Sequence, residues 1–462
     1  MIPRKREGDR MDIIVAGCGK VGIRLVEDLA IEGHNVTIID KDRKVVERML
    51  EAYDIQGVIG SGSDIDVLLE ARIDHCDMFI ALTPMDEVNI IAAVTAKRLG
   101  AAYTVARVRK LEYFHHWDFM RDSLGVSMMI NPEREAAKSI DNVLSFPSAI
   151  EIEEFSSHRA DMIQVKIPKG SPFIGAKLKD LTLPVTLCSV LREGEAFIPK
   201  GDYEIQEGDS LYITGPKKDL ENFCKKADIY KNAINSILII GAGRITYYLL
   251  KLLPKRYDIK VIEISKDVCE SISAEFAHVV VVNADGTDPD ILKEEGLHRY
   301  DVCVMLTGVD EENILLSLYA NQKKVGKIIT KVNRQPLLNV VSGQGLQTII
   351  TPKVLAANLI TQIIRAKSNT KGSNIKTFHR IAEDKVEVME FVVSENSKLI
   401  HVPLKDLDIK EKVIFAYIVR GTQVIFPKGN DEIKPHDRVI IATTIPFIED
   451  LDEVLNMEVN NE

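Results

Sequence analysis

Apolar residues along this chain follow two alternating rhythms. Asp12 to Ala16 (DIIVA) is a short, β-branched run of the kind a buried parallel strand shows. From Val21 to Ala30 the apolar positions recur three and four apart, which predicts a helix, and Gly33 supplies its stop. Val36 to Ile39 is a second apolar run, closed by Asp40. The stretch from Met11 to Asp40 therefore predicts strand, turn, helix, strand. Gly17, Gly19 and Gly22 stand in the turn with the spacing GxGxxG. The first allows a tight turn, the second lets backbone approach a pyrophosphate, and the third lets helix and strand pack closely. Asp40 lies 23 positions beyond Gly17, where an acceptor for ribose hydroxyls belongs. Phosphates would sit at the helix N-terminus, against free N–H groups and the positive end of the dipole.

The same rhythm returns. Ser236 to Ser265 reads SILIIGAGRITYYLLKLLPKRYDIKVIEIS, a second unit of the same kind. Gly17 falls on Gly241 and Gly19 on Gly243 at an offset of 224, and Asp40 falls on Glu263 one position short of it. Further blocks keep step. GSGSDIDVL (60–68) pairs with ADGTDPDIL (284–292), and DHCDMFIALTPMDEVNI (74–90) with HRYDVCVMLTGVDEENI (298–314). Thr83 falls on Thr307, Asn89 on Asn313, Arg107 on Lys331 and Pro132 on Pro352. Each copy alternates strand and helix as a doubly wound parallel sheet does, with helices over both faces. Each closes with a helix opened by proline, at Pro132 and at Pro352.

The segments between repeat as well. IPKGDYEIQEGDSLYITG (198–215) pairs with FPKGNDEIKPHDRVIIAT (426–443), and LKDL occurs at 178–181 and 404–407. Short β-branched runs broken by Pro, Gly and Asp predict small β-rich domains. The fold class expected is α/β: two Rossmann-like doubly wound parallel-sheet domains, each followed by a small β-rich α+β domain. The boundaries expected are a charged leader 1–10, then 11–147, 148–230, 231–370 and 371–462, the first and third sheet domains including their exit helices. A duplication explains this order.

Length and charge narrow the function. The 462 residues suit three or four domains of roughly 100–200 residues each. A net charge of −10 argues against a broad face for nucleic acid. Six cysteines are scattered without a CxxC pair, which reads as reduced thiols. No apolar window of about 18 residues spans a bilayer, and MIPRKREGDR is no signal-peptide core, so a cytoplasmic protein is expected. His115, His116 and Trp117 are adjacent and cannot share one helix face, so no metal site is expected there. The acidic runs Glu151–Glu154 and Asp310–Glu312 read as solvated faces.

GCGKVG, the terminal Asp40, GSGSD, ALTPMDEVN, ARVR and the KGD/EGD β motifs, all in tandem, resemble the TrkA family. These are RCK (regulator of conductance of potassium) regulatory subunits of Trk-type potassium uptake systems. The resemblance covers the whole chain after the leader. It implies a protein without chemistry of its own. Such a protein binds NAD(H), ATP or ADP in its Rossmann clefts and forms a homo-oligomeric ring, a tetramer by resemblance. The ring lies against a TrkH-like integral membrane potassium channel subunit at the inner face of the membrane.

Carried over residue by residue, the resemblance implies that Gly17, Cys18, Gly19, Lys20 and Val21 hold phosphates. Asp40 holds the ribose, Ser61 and Gly62 line the adenine end, and Thr83 and Pro84 face the ligand. Arg107 reaches phosphate as a fork donor, and Arg109, two residues on and on the same strand face, adds a second charge. The second site comprises Gly241, Ala242, Gly243, Arg244, Ile245, Glu263, Asp285, Gly286, Thr307 and Lys331. There Thr246 replaces the third glycine and is expected to push the helix off the strand, disturbing packing and phosphate approach. Lys331 loses the fork and Asn333 the second arginine, so the first site is expected to bind more tightly. The Pro-started exit helices are the expected hinges. An NAD-dependent dehydrogenase is the alternative, though no His–Asp pair, Tyr–Lys couple or reactive Cys marks a cleft. A redox-sensing transcription factor would need a helix-turn-helix or a basic face, and the acidic balance offers neither.

Overall fold

The computed structural model describes residues 10–114, 116–155, 160–181, 185–334, 336–337, 346–368, 375–446, 448 and 450–456. The first sheet is built in strict alternation. It runs β1 (Asp12–Ala16), α1 (Lys20–Ile31), β2 (Asn35–Asp40), α2 (Arg43–Ala52), β3 (Gln56–Ile59), α3 (Ile65–Glu70), β4 (Met78–Ala81), α4 (Asp86–Leu99) and β5 (Tyr103–Arg107). Two short helices, α5 (Leu111–Phe114) and α6 (Trp117–Leu124), precede β6 (Met128–Ile130) and α7 (Pro132–Ser145). The six strands lie in the order β3-β2-β1-β4-β5-β6, every pairing parallel. The order reverses between β1 and β4, which opens a crevice at their carboxyl ends. Alternate residues of β1 serve opposite layers, as a period of two requires. Ile13 and Val15 pack with Leu25 and Leu29 of α1, while Ile14 and Ala16 pack with Phe79, Ala92 and Ala96. Helix α1 stops where expected: Gly33 takes φ +76°, and its N–H and that of His34 return to Ala30 O and Leu29 O at 3.1 Å each.

The first small domain holds β7 (Glu151–Phe155), β8 (Ala160–Lys166), β9 (Thr186–Arg192), β10 (Glu195–Phe197), β11 (Ser210–Thr214) and α8 (Lys217–Lys226). Its sheet, β10-β9-β11-β8-β7, is antiparallel throughout. The second Rossmann copy follows as β12 (Ser236–Ile240), α9 (Arg244–Leu252), β13 (Asp258–Glu263), α10 (Lys266–Glu275), β14 (Val279–Asn283), α11 (Pro289–Glu294), β15 (Val302–Met305), α12 (Asp310–Gln322), β16 (Lys327–Lys331), β17 (Thr348–Ile350) and α13 (Pro352–Ser368). Its sheet repeats the first, β14-β13-β12-β15-β16-β17, again all parallel. The last domain has β18 (Ile375–Ile381), β19 (Val386–Val392), β20 (Val413–Arg420), β21 (Gln423–Ile425) and β22 (Arg438–Thr443), antiparallel in the order β18-β19-β22-β20-β21. The expected fold class stands.

The chain folds into two compact units that do not follow sequence order. One holds residues 1–137 with 351–371, the other 138–350 with 372–462. Within the first unit, α13 of the second copy lies along α1 of the first, with Ala356, Ile360 and Ile364 joining the core of Leu25, Leu29 and Ile38. A buried ion pair fixes the register: Arg365 donates to Glu32 Oε1 at 2.6 Å and 3.2 Å, and Glu32 Oε2 lies 3.7 Å from His34 Nε2. Within the second unit the two small domains share a core of Phe155, Met162 and Tyr212 with Val388, Tyr417 and Ile440. There the run Glu151–Glu154, read as a solvated face, is strand β7. Its Glu153 meets His379 at 2.7 Å, because the neighbouring sheet covers it. Of the His115–Trp117 cluster, His115 lies outside the described residues, and His116 is exposed.

Candidate functional site

At the first crevice β1 runs into a turn that only glycine can make. Gly17 has φ +98°, and a Cβ there would stand 2.7 Å from Thr83 N. Gly19, extended at φ −73° and ψ −167°, is the N-cap of α1 and brings no side chain to its first amides. The 12-residue α1 has no acidic residue in its first turn. Its uncapped N–H groups and dipole are therefore offered to an anion. Lys20 opens the helix, exposed, and Val21 is buried beneath it. Gly22 is the close-packing glycine, since a Cβ on it would fall 2.2 Å from Gly17 O.

Asp40 closes β2 and faces this turn. Its Oδ2 accepts from Cys18 N at 2.7 Å and its Oδ1 from Asp42 N at 2.9 Å. A carboxylate has about four lone-pair sites, so it can still accept from a ribose. Cys18 is buried, and that burial, aided by the Asp40 charge, pushes its thiol up to about 12. It stays protonated and is no nucleophile. Ser61 lies at the same mouth with its Oγ 3.0 Å from Ser63 Oγ. Beside it Gly62 passes so close to β1 that a Cβ would touch Ala16 Cβ at 2.5 Å.

The opposite rim is formed by the tips of β4 and β5. Thr83 N and Thr83 Oγ1 both donate to Asn89 Oδ1, at 2.8 Å and 2.7 Å. Arg107 is the last residue of β5 and half-buried, and Pro84 is exposed at the lip. Arg109 is not where it was expected. The strand ends at Arg107, and Arg109 lies in the segment beyond. Its N–H donates to Asp86 Oδ2 at 2.8 Å and its guanidinium donates to Pro84 O, with Nε 3.6 Å from Asp86 Oδ1. Its charge is met by Asp86, and it braces the rim.

The second crevice keeps the turn. Gly241 has φ +96°, and Gly243 caps α9 at φ −71° and ψ −173° with no side-chain bond. Glu263 reaches the amide that Asp40 reaches in the first copy. Its Oε2 accepts from Ala242 N at 2.7 Å and its Oε1 from Ser265 N at 2.9 Å. Thr246 is fully buried, and its hydroxyl donates to Gly241 O at 2.6 Å. The turn keeps the backbone of the first copy, φ +96° at Gly241 against +98° at Gly17, and the hydroxyl turns the expected clash into a hydrogen bond. Arg244 opens α9, exposed, with Ile245 buried behind it. Asp285 stands where the first copy has Ser61. It accepts from Thr287 N and Oγ1 at 2.9 Å and 2.7 Å, bonds that hold its carboxyl below the usual range. Gly286 repeats the tight contact of Gly62, its Cβ falling 2.5 Å from Ile240 Cγ2. Lys331 donates from Nζ to Thr307 O, and so lies against the tip of β15.

Four residues that sequence reasoning left without a role shape these rims: Asp86, Asn89, Asp310 and Asn313. Asn89 and Asn313 are fully buried, and Asp86 and Asp310 nearly so. Asp310, read as part of a solvated acidic run, instead accepts from Asn333 N and Arg334 N at 3.0 Å and 2.9 Å. The signal was present in the shared D-E-x-N of MDEVNI and VDEENI. Among the described residues no group of three His, Cys, Asp or Glu is placed to hold a metal, and no helix is long and apolar enough to cross a membrane.

Comparison with known proteins matches this architecture. The TrkA-N domain model matches residues 13–132 and 237–352, and the TrkA-C domain model matches 162–228 and 388–456. The Trk system potassium uptake protein TrkA homolog of Archaeoglobus fulgidus is 31% identical over 447 residues, covering 96% of this chain and 100% of that protein. The Trk system potassium uptake protein TrkA of Azorhizobium caulinodans is 28% identical over 459 residues, covering 97% and 99%. Among solved structures, the GsuK RCK domain superposes with a TM-score of 0.59 at 18% identity, covering 95% of this chain and 93% of that one. The GsuK channel bound to NAD gives 0.58 at 17%, covering 95% and 78%. At such identities the structures speak for the fold.

Proposed function

We propose, because the chain belongs to the TrkA family of potassium uptake proteins, that it is the peripheral regulatory subunit of a membrane potassium channel or transporter. It binds NAD(H), ATP or ADP in its two crevices and gates a TrkH-like partner from the cytoplasmic face as a homotetrameric ring. The reading is carried by one arrangement: an uncapped helix N-terminus over a positive-φ glycine, with Asp40 bound to the turn's own amide. That is what a dinucleotide or adenine nucleotide needs, namely donors for phosphate and an acceptor for ribose. A dehydrogenase would need a proton carrier or nucleophile at the cleft, and the protonated, buried Cys18 supplies neither.

A nucleotide shifts a gating equilibrium only by its differential affinity for the two states. The Pro-started helices are the proposed hinges. Helix α13 lies along α1, whose N-terminus would hold the phosphates, and the chain continues from α13 into the last small domain.

Calorimetric titration of NAD, NADH, ATP and ADP into the full-length protein tests this. At least one should bind, and Asp40→Ala should weaken the tighter site by about 10- to 100-fold, the worth of a charged hydrogen bond. No heat with any of the four, or equal affinity in the variant, overturns the reading.

A further inference from the structure

Where parallel strands end, backbone groups beyond the last ladder pair must find other partners. The ladder between β4 and β5 ends at Ala81 and Ala106, and that between β15 and β16 at Met305 and Thr330. Past the first of these ends, one side chain takes over. Asn89 Oδ1 accepts from Thr83 N and Oγ1, and its Nδ2 donates to Thr83 O at 3.0 Å and Arg107 O at 2.9 Å. A carboxamide has two donors and two acceptor sites, and all four are used. In the second copy Asn313 Oδ1 accepts from Thr307 N at 2.9 Å, while Nδ2 donates to Thr307 O at 3.3 Å and Lys331 O at 3.1 Å. One helical turn earlier, Asp86 and Asp310 hold the segments beyond β5 and β16 by two backbone amides each.

The joint needs both donors and acceptor of a carboxamide. Aspartate lacks the donors and would set a charge against two carbonyls, and an aliphatic residue would take a partner from three part-buried backbone groups in each copy. The joint is neutral, so it ties the strand tips together without competing for an anionic ligand. It also ties them to α4 and α12, the helices on which the asparagines sit.

We infer that Asn89 and Asn313 are positioning residues for nucleotide binding. Each locks the rim pair of its crevice, Thr83 with Arg107 or Thr307 with Lys331, into one body that moves with the following helix. The inference rests on the nucleotide reading above and adds the part that makes the rim respond as a unit. Ligand contact at either tip is then felt by both strands and by the helix.

The test uses full-length protein in which one site is silenced, Glu263→Ala to isolate the first and Asp40→Ala to isolate the second, with ADP and NADH as probes. Asn89→Ala should weaken the isolated first site about tenfold or more. It should leave the isolated second site within about twofold, and Asn313→Ala should do the reverse. A general loss of stability would lower both sites together. In the same samples Asn89→Ala should speed amide hydrogen exchange of Thr83 while the core of β1 stays protected. Should Asn89→Ala not fold, the wild type decides: a bound probe should slow exchange at Thr83. Affinity unchanged in Asn89→Ala, or no slowing at Thr83 in the liganded wild type, overturns the inference while nucleotide binding stands. A wild type that takes up neither probe removes the nucleotide reading, and the inference with it.

Discussion

The two crevices share a backbone and differ in chemistry. Gly17 and Gly241 have φ +98° and +96°, and both carboxylates accept from the amide after that glycine at 2.7 Å. Yet Ser61 has become Asp285, Arg107 has become Lys331, and Gly22 has become Thr246. A glycine motif read as three required residues therefore overstates the third. What the turn demands is that atoms near Gly17 O or Gly241 O be absent or be donors, and a threonine hydroxyl at 2.6 Å satisfies the second condition. The frame is preserved while the charge around it drifts, which is how one fold can keep a tight site and a weak one.

The same contrast holds where each copy receives the other's exit segment. At the first residue of the fifth strand stand Tyr103 in one copy and Lys327 in the other, 224 positions apart. In the first unit Lys367 near the end of α13 lies 4.7 Å from the Tyr103 ring centre. In the second unit Lys327 Nζ donates to Pro147 O at 3.1 Å and to Ala149 O, just past α7. The first unit adds a buried ion pair, Arg365 with Glu32, and the positions matching these by the repeat, Ser145 and Arg256, cannot form one.

Breaking that pair should give the largest effect. Arg365→Met takes the guanidinium from the buried Glu32 and leaves His34 beside it, which costs up to about 3–5 kcal/mol in the unit that holds it. Removing both partners, as Glu32→Met with Arg365→Met, should restore most of the loss, because matched apolar replacement avoids the stranded charge. Urea denaturation followed in the single and double variants measures it. Equal losses in the two would mean that α13 docks by its apolar face alone.

Lys327 gives a smaller, pH-dependent effect in the second unit. Burial, with Lys231 nearby, brings its ammonium down to about 7 from lysine's ordinary 10.5. Between these values the unfolded chain holds a proton that the folded chain has released, so stability rises with pH through this window. Below about 7 both states are protonated and the burial cost is felt in full. The slope cannot exceed about 1.4 kcal/mol per pH unit for one proton. Denaturation at pH 7, 8 and 9 should therefore show a steeper rise in the wild type than in Lys327→Met. Parallel curves would show that Lys327 keeps its proton on the two carbonyls.

How much of this was legible in the sequence depends on whether a feature lives in local pattern or in contacts between distant segments. Both parallel sheets and the proline-opened helices followed from periodicity and the internal repeat, since a buried parallel strand must be apolar along its length; the strand order did not, because it is set by pairing between distant segments. Asp40 and Glu263 were legible as acids that end the second strand of each copy, 23 and 22 positions beyond the first glycine of the turn. Arg109 was misplaced because alternation was extended past Arg107, where the strand stops and Asp86 takes over the chain. Asp310 was taken for a surface charge because its partners, Asn333 and Arg334, stand 23 and 24 positions away and meet it largely through backbone amides, which leave no mark in composition. The exchange of α13 onto α1 was invisible for a further reason: both faces are simply apolar, and nothing in either copy states which α1 the helix will cover.

The smallest expected effect bears most directly on why the first crevice should be the tighter one. Asp285 is exposed at the second mouth, and its bonds to Thr287 hold its carboxyl below the usual range, so under the proposed reading it would set a negative charge against an anionic nucleotide entering that mouth. Replacing it by serine, the residue of the first copy, removes that repulsion and leaves Gly286 against Ile240 as before. Asp285→Ser should raise second-site affinity for ADP about two- to fivefold, the scale of an exposed charge pair. The gain should fade in about 0.5 M salt as the Debye length shortens. A gain that survives salt would point to shape at this position, and no gain at low salt would move the difference between the crevices to Lys331. There a single ammonium folded onto Thr307 O replaces a guanidinium fork, and Lys331→Arg becomes the substitution that should bring the two sites together.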